Sequence, residues 1–597
     1  MNALNRPAQA AGQLRHYSRG ISNLLRLVTA NLGDDPHYFA LQAVRKLAGT
    51  QKLAGIQHAV AAAANRSNLS TLGALLSEDR ASLQNTVENQ RDRWNEPRYA
   101  ARLADCAIAA GLWTSAAEIL ASSEISRHTA RSRARLSWAL GNIDEAISTL
   151  ESSRISAGRQ LAHYRSEREV LTGWEPTLPA GQRHWSIESA PKLLYVATNS
   201  LPHTGSGYAQ RTQSLLAALQ EDGVETRCAT RVGYPLNIGH VFSPDHETVQ
   251  SVHYHRLLPA KMNFDMVGRI QQQTQLLADL VSTLQPTVLH TTTDFTNALS
   301  VRAVARVFDL PWVYEVRGQL ADTWASTRPE TSQDSQRYRL FTQREADIAA
   351  SANAVFTLGE AMSENLQKSG VSPPRITVLP NGVGDDFLKR GLPDETSRAE
   401  LRAELGLEPT SFYWGTVSSL VDYEGLDLLV RVTAGLAQRY PKLRLLIVGD
   451  GVEREPLMRL AAELNIEDRC VFTGRVPRHE APAYHAALDV FAVPRRDLGV
   501  TRAVTPLKPV EAMASSVPVM ASNLPALAEL IEDQVSGVLL KPSDTEVWSD
   551  SLEKLIIDPS FRARLGASGR EFVENNRTWS SCSSKLKRIY SSLSIVN

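Results

Sequence analysis

Four ionisable side chains gather in one stretch of the chain and in the run just before it. Arg495 and Arg496 close DVFAVPRR, while Lys508 and Glu511 lie in TPLKPVEAMA, three residues apart. Lys508, Arg495 and Arg496 are able to neutralise a diphosphate and the charge that grows on it as a bond to it breaks. Glu511 falls in the first turn of a predicted helix, where the dipole favours a carboxylate, and it could accept hydrogen bonds from both hydroxyls of a ribose. The plainer alternatives are solvated surface arginines and an acid that only stabilises its own helix.

A second group lies far upstream. In LPHTGSGYAQ, Gly205 and Gly207 allow a tight turn with exposed backbone N–H groups at a helix start, a favourable place for phosphate or developing negative charge, or simply a turn. His290 ends the run TVLH and is expected to point into a cleft, where it could hydrogen-bond a sugar hydroxyl or help a proton move, unless it is structural. Glu315 and Arg317 in YEVRG either shape the same cleft or form a buried ion pair, and Asn381 and Gly382 form a turn.

The elements that must position these residues follow from the pattern. Short apolar runs alternate with helical segments: KLLYVAT, TVLHTTT, WVYEVRG, AVFTLG and ITVLPNG, then SFYWGTV, LRLLIVGDG, CVFTGRV, DVFAVPR, VPVMAS and GVLLKP. Such alternation predicts parallel strands covered by helices. The fold class is α/β, with two doubly wound Rossmann-type domains facing a cleft, at 190–385 and 386–576, and a last helix within 577–597. Ligands bind beyond the carboxyl ends of such strands, so two facing sheets place a ligand between them. Residues 1–185 read as all-helical, followed by a Pro-, Gly- and Ser-rich linker from Thr172 to Lys192. Within them Trp138, Leu140, Ala146, Ile147 and Leu150 form an apolar stripe around a turn at Gly141, similar to about one and a half tetratricopeptide units.

Composition narrows the function classes. The 597 residues carry 64 Lys+Arg and 64 Asp+Glu, so no whole-chain field gathers nucleic acid. Cys106, Cys228, Cys470 and Cys582 are far apart, which supports neither a disulfide framework nor a zinc site. With no D-x-D and no phosphate-binding G-x-x-x-x-G-K-[ST] loop, neither a metal nor any other cofactor is implied. A cytoplasmic chain without a membrane span or signal peptide is expected. Arg6, Arg15, Arg19 and Arg26 beside Leu24, Leu25, Leu27 and Val28 suggest either peripheral contact with the inner face of the membrane or a cationic helix that covers another domain.

From about Lys192 onward the chain resembles glycosyltransferase family 4, the retaining GT-B enzymes. The loop and helix of TPLKPVEAMA and the strand VPVMAS carry the resemblance, and Gly205, YEVRG, LPNGV, YEGLDLL, IVGDG and VFTGRVPRHEAPAYHAALDVFAVPR occur in the family's order. The resemblance is closest to the bacterial surface-polysaccharide subgroup with Y-E-G-L-D and T-P-L-K-P. It implies transfer of a sugar, with retention, from a nucleotide-sugar, UDP being the commonest choice, to a glycan or lipid-linked acceptor. It also implies donor binding by Gly205, Gly207, Arg496, Thr505, Pro506 and Glu511 (the ribose ligand), and catalysis by His290, Lys508 and Arg495. Two departures stand out. The first Glu of the family's E-x₇-E pattern is Ala503, and the usual basic residues after the first strand of the C-terminal domain correspond to Thr416 and Glu424. These departures leave room for a non-catalytic scaffold with a protein partner on its helical region; a nucleotide-sugar epimerase is the other alternative.

Overall fold

The structure is a computed structural model that describes residues 20–26, 29, 80–153, 158–181, 183, 185, 186, 190–389 and 394–595. Arg6, Arg15, Arg19, Leu27 and Val28 lie outside the described residues.

All eleven predicted apolar runs are strands. In chain order, β1 is Lys192–Ala197, β2 Glu225–Thr230, β3 His246–Val249, β4 Val252–Arg256, β5 Val288–Thr292, β6 Trp312–Val316, β7 Ala354–Thr357 and β8 Ile376–Val378. They form one sheet in the order β3-β4-β2-β1-β5-β6-β7-β8, parallel except for the β3–β4 pair at the edge. The second sheet contains β9 (Phe412–Val417), β10 (Leu443–Val448), β11 (Cys470–Gly474), β12 (Val490–Val493), β13 (Val519–Ser522) and β14 (Val538–Leu540). Its order is β11-β10-β9-β12-β13-β14, and every pairing is parallel. Helices cover both faces, so central strands such as β5, β6 and β12 are buried at every position and read as unbroken apolar runs. The strands that the apolar pattern misses, β2, β3 and β4, carry Glu, Arg or His at half-exposed or exposed positions.

Each sheet reverses its strand order once, between β1 and β5 and between β9 and β12. Loops leaving such a switch point diverge and open a crevice. The loop after β1 contains Gly205 and Gly207. The loop after β9 contains Glu424, and β12 runs directly into Arg495.

The chain crosses between the sheets twice, side by side: Val383 N donates to Arg577 O at 2.8 Å, and Val383 bridges Thr578. The second crossing delivers the helix Trp579–Ile595 back to the first sheet, where Trp579, Cys582, Leu586 and Tyr590 share a core with Tyr195, Leu215, Val313 and Phe356.

Upstream, Pro97–Ala110 pairs with Trp113–Ala121, Thr129–Ala139 pairs with Ile143–Ser152, and Gly158–Leu171 follows. Ala146, Ile147 and Leu150 of the expected stripe are buried; Trp138, half-buried, stacks on Tyr164 at 4.0 Å, and Leu140 is half-buried. Gly141 turns at φ +90°, and a Cβ there would stand 2.4 Å from Ser335 Oγ and 2.8 Å from Trp324, so glycine lets the array seat on the first α/β domain.

Candidate active site

The C-terminal half of the site forms where β9 and β12 end. Tyr423 and Glu424 sit in a turn closed by Gly425 at φ +67°, and a Cβ on Gly425 would stand 2.2 Å from Pro494 O. This close approach brings Glu424 beside Arg495. Arg495 Nη2 lies 3.1 Å from Glu424 Oε1, Arg495 Nε lies 3.3 Å from Oε2, and Lys508 Nζ lies 2.7 Å from Oε1. Burial raises the Glu424 pKa, but Arg495 and Lys508 outweigh it and hold the group at about 2. Burial lowers the Lys508 pKa, against the opposing pull of Glu424. Two cations thus share one acid, and the trio keeps one net positive charge.

Glu424 is therefore no mere departure from the family pattern: it anchors both cations. Sequence reasoning missed this because Glu424 and Lys508 are distant in the chain. An acid just after a strand, with the cations Arg495 and Lys508 expected at the same site, was the available signal.

Arg496, expected to bind the donor beside Arg495, does not join this cluster. Its Nη2 donates to Asp427 Oδ1 at 2.9 Å and its Nε to Asp422 O at 3.0 Å, so adjacent residues on an extended segment serve opposite sides. Thr505 also departs from expectation. It is 1% exposed at the domain contact, where its carbonyl accepts from Asn381 Nδ2 at 2.9 Å and a Cβ on Gly359 would meet its Oγ1 at 2.6 Å. Pro506 is buried beside it.

Glu511 occupies the first turn of the helix Lys508–Ala514, as predicted, and is buried. Arg478 Nη2 lies 2.6 Å from its Oε1, and His485 Nε2 lies 3.7 Å from its Oε2. Arg478 is a partner that the sequence did not suggest. Burial and Arg478 together push the His485 pKa down to about 3, so the ring is neutral.

In the first α/β domain, Gly207 opens the helix Gly207–Glu221, capped by Ser206 Oγ accepting from Ala209 N. Gly205 and Gly207 both face open space, and neither needs a left-handed backbone; what they supply is room for close approach. The next residue, Tyr208, has its pKa raised by burial and restrained by Arg317 and Arg495, with Tyr423 also acting on it. Tyr208 OH donates to Arg317 O at 3.4 Å, and Arg317 Nη1 returns a bond to Tyr208 O at 3.0 Å.

Beneath this loop Glu315 and Arg317 form the buried ion pair, at 2.6 Å, with Arg211 2.6 Å from the other carboxylate oxygen. Arg211 also donates to the carbonyls of Leu379 and Pro380 at 2.7 Å, tying the glycine-loop helix to the interdomain crossing. His290 is not in the cleft. It is 0% exposed, bonded through Nδ1 to Tyr590 OH at 2.5 Å, and burial lowers its pKa to about 3. The returning helix Trp579–Ile595 seals it in, a contact that strand periodicity cannot reveal.

Among the described residues no group of three or more His, Cys, Asp or Glu could hold a metal ion, and no helix is long and apolar enough to cross a membrane. Leu24 and Leu25 are exposed, whereas Asn23 of the same turn is buried and bonded to Pro259 O.

Residues 206–382 match the family described as glycosyl transferase 4-like domain, and residues 397–572 match glycosyl transferases group 1. The chain is 34% identical over 215 residues to a GDP-mannose-dependent alpha-(1-6)-phosphatidylinositol monomannoside mannosyltransferase of Mycolicibacterium smegmatis, covering 36% of this chain and 55% of that one. It is 33% identical over 226 residues to a D-inositol 3-phosphate glycosyltransferase of Nocardia farcinica, covering 37% and 48%. The chain spans about half the length of the curated relatives it matches. Among solved structures, sucrose-phosphate synthase from Thermosynechococcus elongatus superposes with TM-score 0.56 at 20% identity, over 68% of this chain and 100% of that one. Anabaena HepE in complex with UDP gives TM-score 0.51 at 19% identity, over 67% and 100%. The fold is GT-B.

Proposed function

We propose that this chain, whose two GT-B sheet domains each match a glycosyltransferase family, is a nucleotide-sugar-dependent retaining hexosyltransferase that acts on a glycan or lipid-linked acceptor in surface-polysaccharide synthesis. The observation that carries the reading is the pair of cations, Lys508 and Arg495, converging on Glu424 where β9 and β12 end. One net positive charge suits a diphosphate and stabilises it more as it departs with the bond to the sugar broken.

In this mechanism Glu424 touches no substrate; it orients Lys508 and Arg495. Glu511 binds the ribose hydroxyls, and Arg478 sets the carboxylate's position. The acceptor hydroxyl attacks from the face that the diphosphate leaves, and its proton passes to the departing phosphate, which requires neither a carboxylate nucleophile nor His290. UDP bound to HepE and the GDP-mannose of the mycobacterial relative support a nucleoside diphosphate donor of either base.

Thermal stabilisation of the purified chain by UDP, GDP and ADP identifies the base. Incubation with the matching nucleotide sugars and a membrane-lipid extract then tests transfer. Loss of both signals in Lys508→Ala supports the reading. Wild-type protein that no nucleotide stabilises and that transfers no sugar refutes it in favour of a scaffold, and conversion of the free nucleotide sugar without acceptor favours an epimerase.

A further inference from the structure

Two cavities of about 460 and 540 Å³ share Tyr338, Thr342, Ala346 and Ser369 and so form one groove. Its floor is one face of the helix Gln336–Ser351. Tyr338, Thr342 and Ala346 recur every fourth residue, and they span about 12 Å along the axis at roughly 1.5 Å per residue. The inner end lies between the domains, walled by Val316 at the end of β6 and by Gly499. A Cβ on Gly499 would stand 3.1 Å from Asp322 Oδ1, so glycine keeps this end open. The outer end reaches Gln333 and Arg339.

The walls are dense in hydrogen-bonding groups. Tyr338 OH donates to Asp322 Oδ1 at 2.7 Å, and Asn365 Nδ2 donates to Gln319 Oε1 at 3.1 Å. Thr342 Oγ1 is buried with no partner among the described residues. Glu345 takes a bond from Tyr314 OH at 3.1 Å, and burial raises its pKa to about 8, which makes it a neutral acid able to donate as well as accept. Its charged groups balance, Asp322, Asp334 and Glu364 against Arg339, Lys368 and Arg502, so the carboxyl, amide and hydroxyl lining matches a neutral polyol. Arg502, at the inner end, is already paired with Asp497 at 2.7 Å.

The helical array braces the floor of this groove. Arg337 N donates to Gly141 O at 2.9 Å, Arg328 Nε to Ala139 O at 2.7 Å, and Gln336 Nε2 to Asp144 Oδ2 at 2.7 Å.

We propose that this groove binds a neutral, hydroxyl-rich oligosaccharide as the extended acceptor, with its reacting end at Gly499 and its remaining units laid along Tyr338, Thr342 and Ala346. The proposal rests on the transferase reading. It also gives the helical array a purpose, since the array fixes the helix on which the acceptor lies.

The test uses the full chain, linear mannose and glucose oligosaccharides of about one to six units as probes, and titration calorimetry with UDP or GDP present. Affinity is expected to rise at least about tenfold from the monosaccharide to the longer chains. Ala346→Trp, which fills the groove, and the near-isosteric Thr342→Val are each expected to cost about tenfold or more, with nucleotide stabilisation unchanged. A wild-type protein that binds nucleotide but shows no oligosaccharide binding, or variants that bind as wild type does, overturns the groove. A wild type that binds no nucleotide overturns the transferase reading, and with it the groove's role as an acceptor site.

Discussion

Lys508 and Glu424 meet at 2.7 Å, so a buried acid just after β9 is the group that holds the cation in place. Arg495 shares the same oxygen at 3.1 Å, and the carboxylate is 4% exposed. Removing the acid leaves two buried cations facing each other, and breaking such a pair costs about 3–5 kcal/mol. Glu424→Gln is therefore expected to shift urea denaturation down by that order, and UDP or GDP should restore more stability to it than to the wild type. An unchanged midpoint would show that the acid anchors nothing.

Lys508→Ala leaves Arg495 alone with Glu424 and removes the trio's net charge. Losing one preorganised charge at a departing diphosphate lowers kcat by about 10²–10³-fold. Single-turnover sugar transfer is the measurement, and a rate within threefold of wild type contradicts the role given to Lys508.

For Glu511→Gln, shape is kept and charge is lost. Nucleoside diphosphate affinity is expected to fall at least about tenfold, because hydrogen bonds to a charged acceptor are worth about 1.5–3 kcal/mol. Phosphate-only probes such as pyrophosphate should bind as before. Equal losses for UDP and pyrophosphate would move Glu511 from the ribose to the phosphates.

The buried histidines set an acid limit on stability. His290 and His485 have folded-state pKa values of about 3, below the ordinary value of 6.5. Above pH 6.5 both states are neutral and stability is full. As pH falls towards 3 only the unfolded chain takes up the protons, so stability drops by about 1.4 kcal/mol per pH unit for each ring. His290→Gln is expected to flatten the slope between pH 6 and 4 by about one proton and to leave nucleotide stabilisation intact at pH 7.5. Abolished nucleotide binding in a folded His290→Gln would return this residue to the cleft.

Glu529 bridges the domains. Its carboxylate accepts from Glu360 N at 2.8 Å and Ala361 N at 2.7 Å, capping the helix Glu360–Lys368 of the other domain. Glu529→Ala removes the cap, at about 0.5–2 kcal/mol, and with it one contact between the domains. Small-angle scattering should show a larger radius of gyration for the variant without nucleotide. Identical curves would leave Asn381 and Thr505 as sufficient contact.

The sequence by itself determined the two sheets, because parallel strands buried on both faces must read as apolar runs whatever surrounds them. It also set Gly205, Arg495, Lys508 and Glu511, the residues of the proposed donor site, next to strand or helix ends that the periodicity marks. It did not reveal β2, β3 and β4, whose polar positions break the apolar pattern. Only the tertiary structure decided which neighbours those residues have. Arg495 turns to Glu424 while Arg496 turns to Asp427, His290 is sealed by Tyr590 from the far end of the chain, and Glu511 acquires Arg478. Each is a pairing between residues remote in sequence, fixed by how the helices close over the sheets and where the chain crosses back, and local spacing carries no record of it.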